Sequence, residues 1–225
     1  MDVFLVPLGS STYELYCEID PDEPVTRADE AAPGWFSKLE DKFAQTMHVV
    51  TKRGPDPAPD ASLWVRLRAR SLAWLSERVA EQRLLWHLRW HRNARLVFPD
   101  DLTADEAHRL VQRHLSSDMR RHWAWLAVNA VLLVASSVLT VIPGPNVVAL
   151  YFSFRVVGHY LSIRGAKQGL SGTAWTAEAS APLADLRRAI ALEPGLREAR
   201  VSDVATRLEL RHLATFVQRM AFRSA

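Results

Sequence analysis

The sequence contains very little cysteine and lysine. Cys17 is the single cysteine among 225 residues, which excludes an intrachain disulfide and a CxxC metal site. A lone thiol fits a reducing compartment. The cations are almost all arginines, and the net charge is only +3. This balance weakly favours an anionic surface as a partner, either phospholipid or nucleic acid.

The first residues lack the features of a targeting peptide. The opening MDVFLVPL has an apolar patch that is too short for a signal peptide, and Asp2 stands where a basic region would be needed. The start is also not the arginine- and serine-rich, acid-poor pattern of a transit peptide. We therefore expect no cleavable leader.

Signatures of catalysis and of metal binding are also missing. The sequence has no GxSxG elbow and no phosphate-loop order of glycines and lysine. His87 and His91 have the helical spacing of metal ligands, but no glutamate or cysteine accompanies them. We expect no enzyme, no metal and no cofactor. The other histidines of the central region, His108, His114 and His122, share no helix face and receive no role.

What the sequence does have is a long apolar region with a sharp turn in it. Trp123 to Ile142 is roughly 20 residues without a charge, enough to cross a bilayer. Val147 to Ile163 is a second apolar segment. The turn between them consists of Pro143, Gly144, Pro145 and Asn146. Because two prolines flank a glycine there, the helix must stop and the chain must reverse, which predicts a two-helix transmembrane hairpin.

A polar stripe interrupts the second apolar segment. Tyr151, Arg155 and His159 are spaced by four residues and so share one helix face, with Ser162 close to it. Ionisable residues inside a membrane are functional candidates. The alternative is that Arg155 reaches toward the surface, or pairs with a distant acid, and only fixes the packing.

Basic residues flank the apolar region on both sides. Arg120 and Arg121 precede it, Arg164 and Lys167 follow it, and the turn carries no charge. The positive-inside rule then places both termini on the cytoplasmic or matrix side, with these four residues at the membrane surface. The alternative is a pair of core helices in a protein outside the membrane.

The rest of the chain reads as mostly helical. MDVFLVPL and TYELYCEI predict a small β-hairpin, and a helix rich in arginine and tryptophan is expected from Ser62 to about Leu96. Thr103 and Glu106 form a capping box at the start of a helix that can run on through Arg121.

The C-terminal region is expected to be a link followed by two helices. The link runs from Gly165 to Ser180, Pro182 lies in the first turn of the next helix, and Val201 to Phe222 is a final helix. The predicted fold class is a mainly α membrane protein with a transmembrane hairpin, an N-terminal β-hairpin and flanking amphipathic helices. The predicted regions are 1–122, 123–163 and 164–225.

The segment LTVIPGPNVVALYFSFRVVGHYLSIRGAKQGL resembles a known family, the mitochondrial potassium–proton exchange-related proteins, which occur in fungi and in other lineages including bacteria. The turn, the aromatic stretch, Arg155, His159, the Arg164-Gly165-Ala166 step and Leu170 carry the resemblance. The opening VFLVPL and YELYCE also look like that family's first strands. The resemblance implies a membrane protein associated with monovalent cation–proton exchange, in the inner membrane when mitochondrial.

Three functional interpretations stay open at this point. The first is the role in potassium–proton homeostasis that the resemblance implies, with membrane lipids as partners and a location in a bacterial inner membrane, which the arginine- and alanine-rich composition favours. The second is a hairpin-anchored scaffold that docks a partner protein or a second copy. The third, and least favoured, is a basic RNA-binding helical protein outside the membrane.

Overall fold

The computed structural model describes residues 1–9, 11–18, 84–137 and 147–221. The strands are β1 (Asp2–Pro7), β2 (Tyr13–Tyr16), β3 (Asn93–Pro99) and β4 (Ala174–Ser180). The helices are α1 (Ala104–Ser137), α2 (Val147–Ser171), α3 (Ala181–Ile190), α4 (Pro194–Arg207) and α5 (Leu213–Ala221). Residues 84–88 are helical as well. The predicted turn at Pro143 to Asn146 lies outside the described residues.

The chain forms two compact units, each assembled from separate stretches of sequence. The first unit comprises Met1–Val25, His91–Arg120 and Ala166–Ala225. The second unit comprises Thr26–Trp90 and Arg121–Gly165. The sheet and α3 to α5 belong to the first unit, and the apolar parts of α1 and α2 belong to the second.

The first unit is built on a four-stranded sheet in the order β2-β1-β3-β4. β1 and β2 pair antiparallel, with Phe4 opposite Tyr16 and Val6 opposite Glu14. This pairing confirms the N-terminal β-hairpin predicted from the sequence. β3 is parallel to both β1 and β4, so the sheet is mixed.

The core of this unit lies between one face of the sheet and three helices. Phe4, Val6 and Val97 from the sheet are buried together with Leu183 and Leu186 of α3 and with apolar residues of α4 and α5. The alternate strand residues are buried too: Val3, Leu5, Leu96 and Phe98. Because strand side chains alternate between faces, the sheet is covered on both sides. Each such aliphatic side chain contributes about 1.5–3 kcal/mol by leaving water.

The predicted fold class is wrong. The described part of the chain combines five full helices with a four-stranded mixed sheet, and it contains no helix with both the length and the apolar character needed to cross a membrane. Within the described residues, the apolar runs share their helices with polar residues. The charged stretch before Trp123 belongs to α1, and Arg155, His159 and Arg164 belong to α2.

Two strands, β3 and β4, lie where the sequence predicted a helix and a link. The helix predicted from Ser62 to Leu96 is helical at residues 84–88, but Asn93–Pro99 is β3. The predicted link from Gly165 to Ser180 is instead the end of α2 followed by β4. Arg95 stabilises this arrangement across three strands, since it bonds to Asp2 on β1 and to Glu178 on β4.

Helix starts were predicted better than helix ends. The capping box at α1 is confirmed, because the Thr103 amide donates to Glu106 Oε2 at 2.9 Å and the Glu106 amide donates to Thr103 Oγ1 at 3.3 Å. Pro182 lies in the first turn of α3, as predicted.

The last predicted helix, Val201 to Phe222, is two helices. α4 ends in a Schellman motif, in which the Leu210 amide donates to Ala205 O and the Glu209 amide donates to Thr206 O. Glu209 has φ 58° there, a left-handed conformation that is normally supplied by glycine. The sequence has no glycine to mark this break, so the periodicity alone suggested one continuous helix.

Candidate functional site

The part of α1 that belongs to the second unit buries polar residues and exposes large apolar ones. His122, Asn129 and Ser136 are buried and follow one another at intervals of seven residues, which is close to two helical turns and places them on one face. The large apolar side chains are outside instead. The exposed ones are Trp123, Trp125, Val128, Val131, Leu132 and Val134, with Val131 at 68% and Val134 at 71%. An ordinary amphipathic helix of a globular protein has the opposite arrangement.

Two of the three buried polar residues are satisfied by their own helix. Asn129 Nδ2 donates to the carbonyl of Trp125 at 2.7 Å, and Ser136 Oγ donates to the carbonyl of Leu133 at 2.8 Å. Such bonds to the preceding turn need no neighbouring element. His122 differs, because its partner comes from α2.

α2 contributes a second set of buried polar groups to the same unit. Ser162 is fully buried, and its hydroxyl donates to Gly158 O at 2.9 Å. The hydroxyl oxygen also accepts a bond of 2.9 Å from Trp86 Nε1. Trp86 therefore ties the helical residues 84–88 to α2, one turn from His159.

At the centre of the site the two imidazoles meet. His122 Nδ1 and His159 Nδ1 are 2.8 Å apart, with ring centroids 5.1 Å apart and ring planes at 48°. Both residues are buried, at 9% and 5% exposure. Only one of the two facing nitrogens can carry the proton of this bond, so one ring donates and the other accepts. In the neutral pair the two rings are therefore opposite tautomers.

The surroundings disfavour charge on this pair. Burial lowers the pKa of His122 to about 4, with Arg121 and Arg155 adding to the effect. The pKa of His159 is also lowered to about 4, by burial first and then by His122, Arg155 and Arg121. Desolvation and nearby positive charge both act against the imidazolium form. Both rings are thus neutral at neutral pH.

Two nitrogen atoms of the site have no hydrogen-bond partner in the part of the chain that the structure describes. His159 Nε2 and Arg155 Nε are buried, and neither makes a hydrogen bond within the described residues. In the part of the chain that the structure describes, no carboxylate pairs with Arg155. Buried polar groups are nearly always hydrogen-bonded, so these two nitrogens mark a position where a partner is expected.

The structure brings together two of the three residues of the predicted stripe. His159 is one member of the imidazole pair, and Arg155 lowers the pKa of both members. Tyr151, in contrast, is 43% exposed and packs its ring edge-on against Phe152. The four predicted surface cations, Arg120, Arg121, Arg164 and Lys167, are all exposed. Of these four, Arg121 also influences the pair, and the role of all four at a membrane stays a prediction.

Reasoning from the sequence missed His122. Its partner lies 37 residues away in the sequence. Local spacing related His122 only to His108 and His114, with which it shares no helix face. The available signal was the seven-residue spacing of His122, Asn129 and Ser136 within an apolar run. Polar residues at this interval in an apolar segment indicate a buried polar face.

Comparison with known proteins gives one match. A family model described as mitochondrial K⁺-H⁺ exchange-related matches residues 68–170. No curated protein and no solved structure matches the chain. The matched residues include α1, the described part of α2 up to Leu170, and both histidines of the pair. This match confirms the resemblance seen in the sequence over residues 68–170, to which that family model is similar.

Proposed function

We propose that this chain takes part in monovalent cation–proton exchange at a membrane, and that the His122–His159 pair is the group that takes up and releases the proton. The observation that carries the proposal is the buried bond of 2.8 Å between the two Nδ1 atoms. The match of residues 68–170 to a family model described as mitochondrial K⁺-H⁺ exchange-related supports the connection with exchange. Histidine is the side chain whose ordinary pKa lies nearest to neutral pH, and the lowered pKa values of this pair favour release of a proton over its uptake.

The pair is chemically suited to bind one proton. A first added proton leaves the central bond in place, because the cationic ring donates from Nδ1 and the neutral ring still accepts. A second proton would place two N–H donors face to face at 2.8 Å, which breaks the bond. Single protonation and double protonation therefore have different structural consequences, as a proton-coupled element requires.

The positive charge of Arg155 disfavours a metal cation next to the proton site. Its guanidinium stays charged at every physiological pH, and it acts on both imidazoles. A bare potassium ion beside it would be repelled. In our proposal, potassium therefore does not pass along the Arg155 face of α2.

The exposed apolar face of α1 supports a location at a membrane. Trp123 and Trp125 lie on the surface next to the exposed Arg121. Tryptophan and arginine together suit the headgroup zone of a bilayer, where the ring is partly in the apolar phase and the guanidinium meets phosphate. We propose that this face contacts lipid.

The test is potassium-driven proton movement in membrane vesicles from cells that produce the full chain. The wild type should add a potassium-dependent proton flux to that of vesicles without the protein. His159→Gln should abolish this added flux, because glutamine cannot take up a proton. His212→Gln is the matched control, since His212 is 78% exposed and lies in the first unit.

Two results would contradict the proposal. One is an added flux that His159→Gln leaves unchanged at equal protein abundance. The other is the absence of any added flux with the wild type. If flux is absent and the protein instead captures a partner protein that His159→Gln does not release, the scaffold interpretation replaces this one.

A further inference from the structure

Two buried nitrogens of the site lack a hydrogen-bond partner among the described residues. Arg155 Nε bears a proton at all times, so it is a buried donor without an acceptor among the described residues. His159 Nε2 is buried in a residue that is only 5% exposed. Arg155 and His159 are separated by one helical turn of α2, so both nitrogens belong to the same side of that helix.

The described residues also do not compensate the positive charge of the site. Among the described residues, the charged groups that act on the imidazole pair are Arg121 from α1 and Arg155 from α2. Residues 84–88 contribute the Trp86 indole, which carries no charge. No acidic group of the described chain appears among the influences on the pair. Among the described residues, the position therefore has donors and positive charge but no anion.

We propose that Arg155 and His159 form a binding site for a small phosphate-type oxyanion, either free phosphate or the phosphate of a lipid headgroup. A guanidinium matches the geometry of phosphate oxygens, and an imidazole N–H provides a further donor. The Arg155 side chain is partly exposed although its Nε is buried, so the anion reaches the guanidinium from the surface.

The oxyanion fixes the tautomers of the pair. An anion accepts hydrogen bonds, so the proton of His159 must be on Nε2. His159 Nδ1 is then the acceptor of the 2.8 Å bond, and His122 Nδ1–H is the donor. A bound negative charge also offsets the field of Arg155 and Arg121 and favours uptake of a proton by the pair.

This inference deepens the proposed function, on which its biological meaning rests. Binding of the oxyanion and binding of the proton favour each other, because each stabilises the state that the other prefers. Phosphate or an anionic headgroup would then set how readily the pair takes up its proton.

The experiment uses the full chain with nitrogen-15-labelled histidine at neutral pH. Inorganic phosphate is titrated at constant ionic strength, with chloride as the balancing salt. The His159 Nε2 and His122 Nδ1 signals should move saturably toward their protonated positions. Arg155→Gln should weaken the apparent affinity by about tenfold or more. Arg164→Gln is the matched control, since Arg164 is an exposed arginine of the same helix and its variant should bind phosphate as the wild type does.

A second arm separates the two sources of phosphate. Vesicles of phosphatidylcholine alone are compared with vesicles that also contain phosphatidylglycerol. A response to free phosphate identifies the soluble ion as a ligand. A response to vesicles of either kind identifies the headgroup phosphate, which phosphatidylcholine also carries, and a response that requires phosphatidylglycerol shows that the headgroup must be anionic. No response in either arm overturns the proposal, as does an equal response in Arg155→Gln.

The outcome is distinguishable from failure of the proposed function. If His159→Gln abolishes the proton flux but neither phosphate source moves the histidine signals, the exchange role stands and the oxyanion site is wrong. If the signals respond as expected but the flux is absent, the site is real and the exchange role is wrong.

Discussion

At the scale of single residues, the central feature is that two ordinary imidazoles are placed where charge is unfavourable. His122 and His159 are buried and lie within the influence of Arg121 and Arg155. The pKa of each falls from 6.5 to about 4. In the unfolded chain both would return to ordinary values, so the pair links protonation to stability.

This linkage predicts that the protein loses stability as the pH falls from 7 to 5. Over that range the unfolded chain binds protons at these histidines and the folded chain does not, so the free energy of unfolding decreases with decreasing pH. The loss is about 2 kcal/mol for each histidine, from the 1.36 kcal/mol per pH unit that one site contributes below pH 6.5. Urea unfolding at the two pH values measures it.

The double variant His122→Gln/His159→Gln removes both sites and should show a correspondingly smaller loss. His212→Gln should behave as the wild type. His114 works in the opposite direction, because the Glu14 carboxylate raises the pKa of its ring, which adds stability below pH 6.5. The comparison between variants cancels that contribution. An identical loss in the wild type and the double variant would contradict the assigned pKa direction.

At the scale of elements, α2 depends on a close backbone approach. Residues 84–88 contact α2 at Gly165, where a β-carbon would overlap the carbonyl oxygen of Leu85. The obstacle is backbone, so it cannot rotate away. This contact and the two bonds donated by Trp86 hold the segment against the helix that carries His159.

Gly165→Ala is therefore expected to destabilise the protein by about 3 kcal/mol or more, since added volume at a packed position forces the backbone to shift. Gly195→Ala is the matched control, because no atom lies within 4 Å of a β-carbon at Gly195 in α4. That change should be neutral or stabilise by up to about 1 kcal/mol, as alanine favours helix. Thermal unfolding of the two variants measures the difference, and equal midpoints would show that the contact is not needed.

At the scale of the whole molecule, local signals in the sequence predicted what depends on near neighbours. The β1–β2 hairpin, the Thr103–Glu106 box and the start of α3 are each specified within a few residues. β4 is different, because AWTAEAS contains no run of β-branched residues and pairs with a strand some 80 positions earlier in the chain. Its pairing is set by the sheet and not by its own propensity.

The wrong prediction of a transmembrane fold class has a related cause. A run of apolar residues along the chain does not show which face of the helix is buried, and the buried face decides what the helix packs against. In α1 the polar residues His122, Asn129 and Ser136 face inward and Val131 and Val134 face outward. The candidate site was half predicted for the same reason. Arg155 and His159 share a periodicity within one helix, but the meeting of His159 with His122 requires the packing of two.

The most direct test of the central claim is a pH titration of the histidine nitrogens in the full-length protein by NMR. The account predicts that His122 and His159 stay neutral at pH 6 as opposite tautomers, share one Nδ1 proton, and titrate together near pH 4. It also predicts that His159→Gln changes the His122 signals and that His212→Gln does not. Independent titration of the two rings near their ordinary pKa of 6.5, with no response of His122 to His159→Gln, would contradict it.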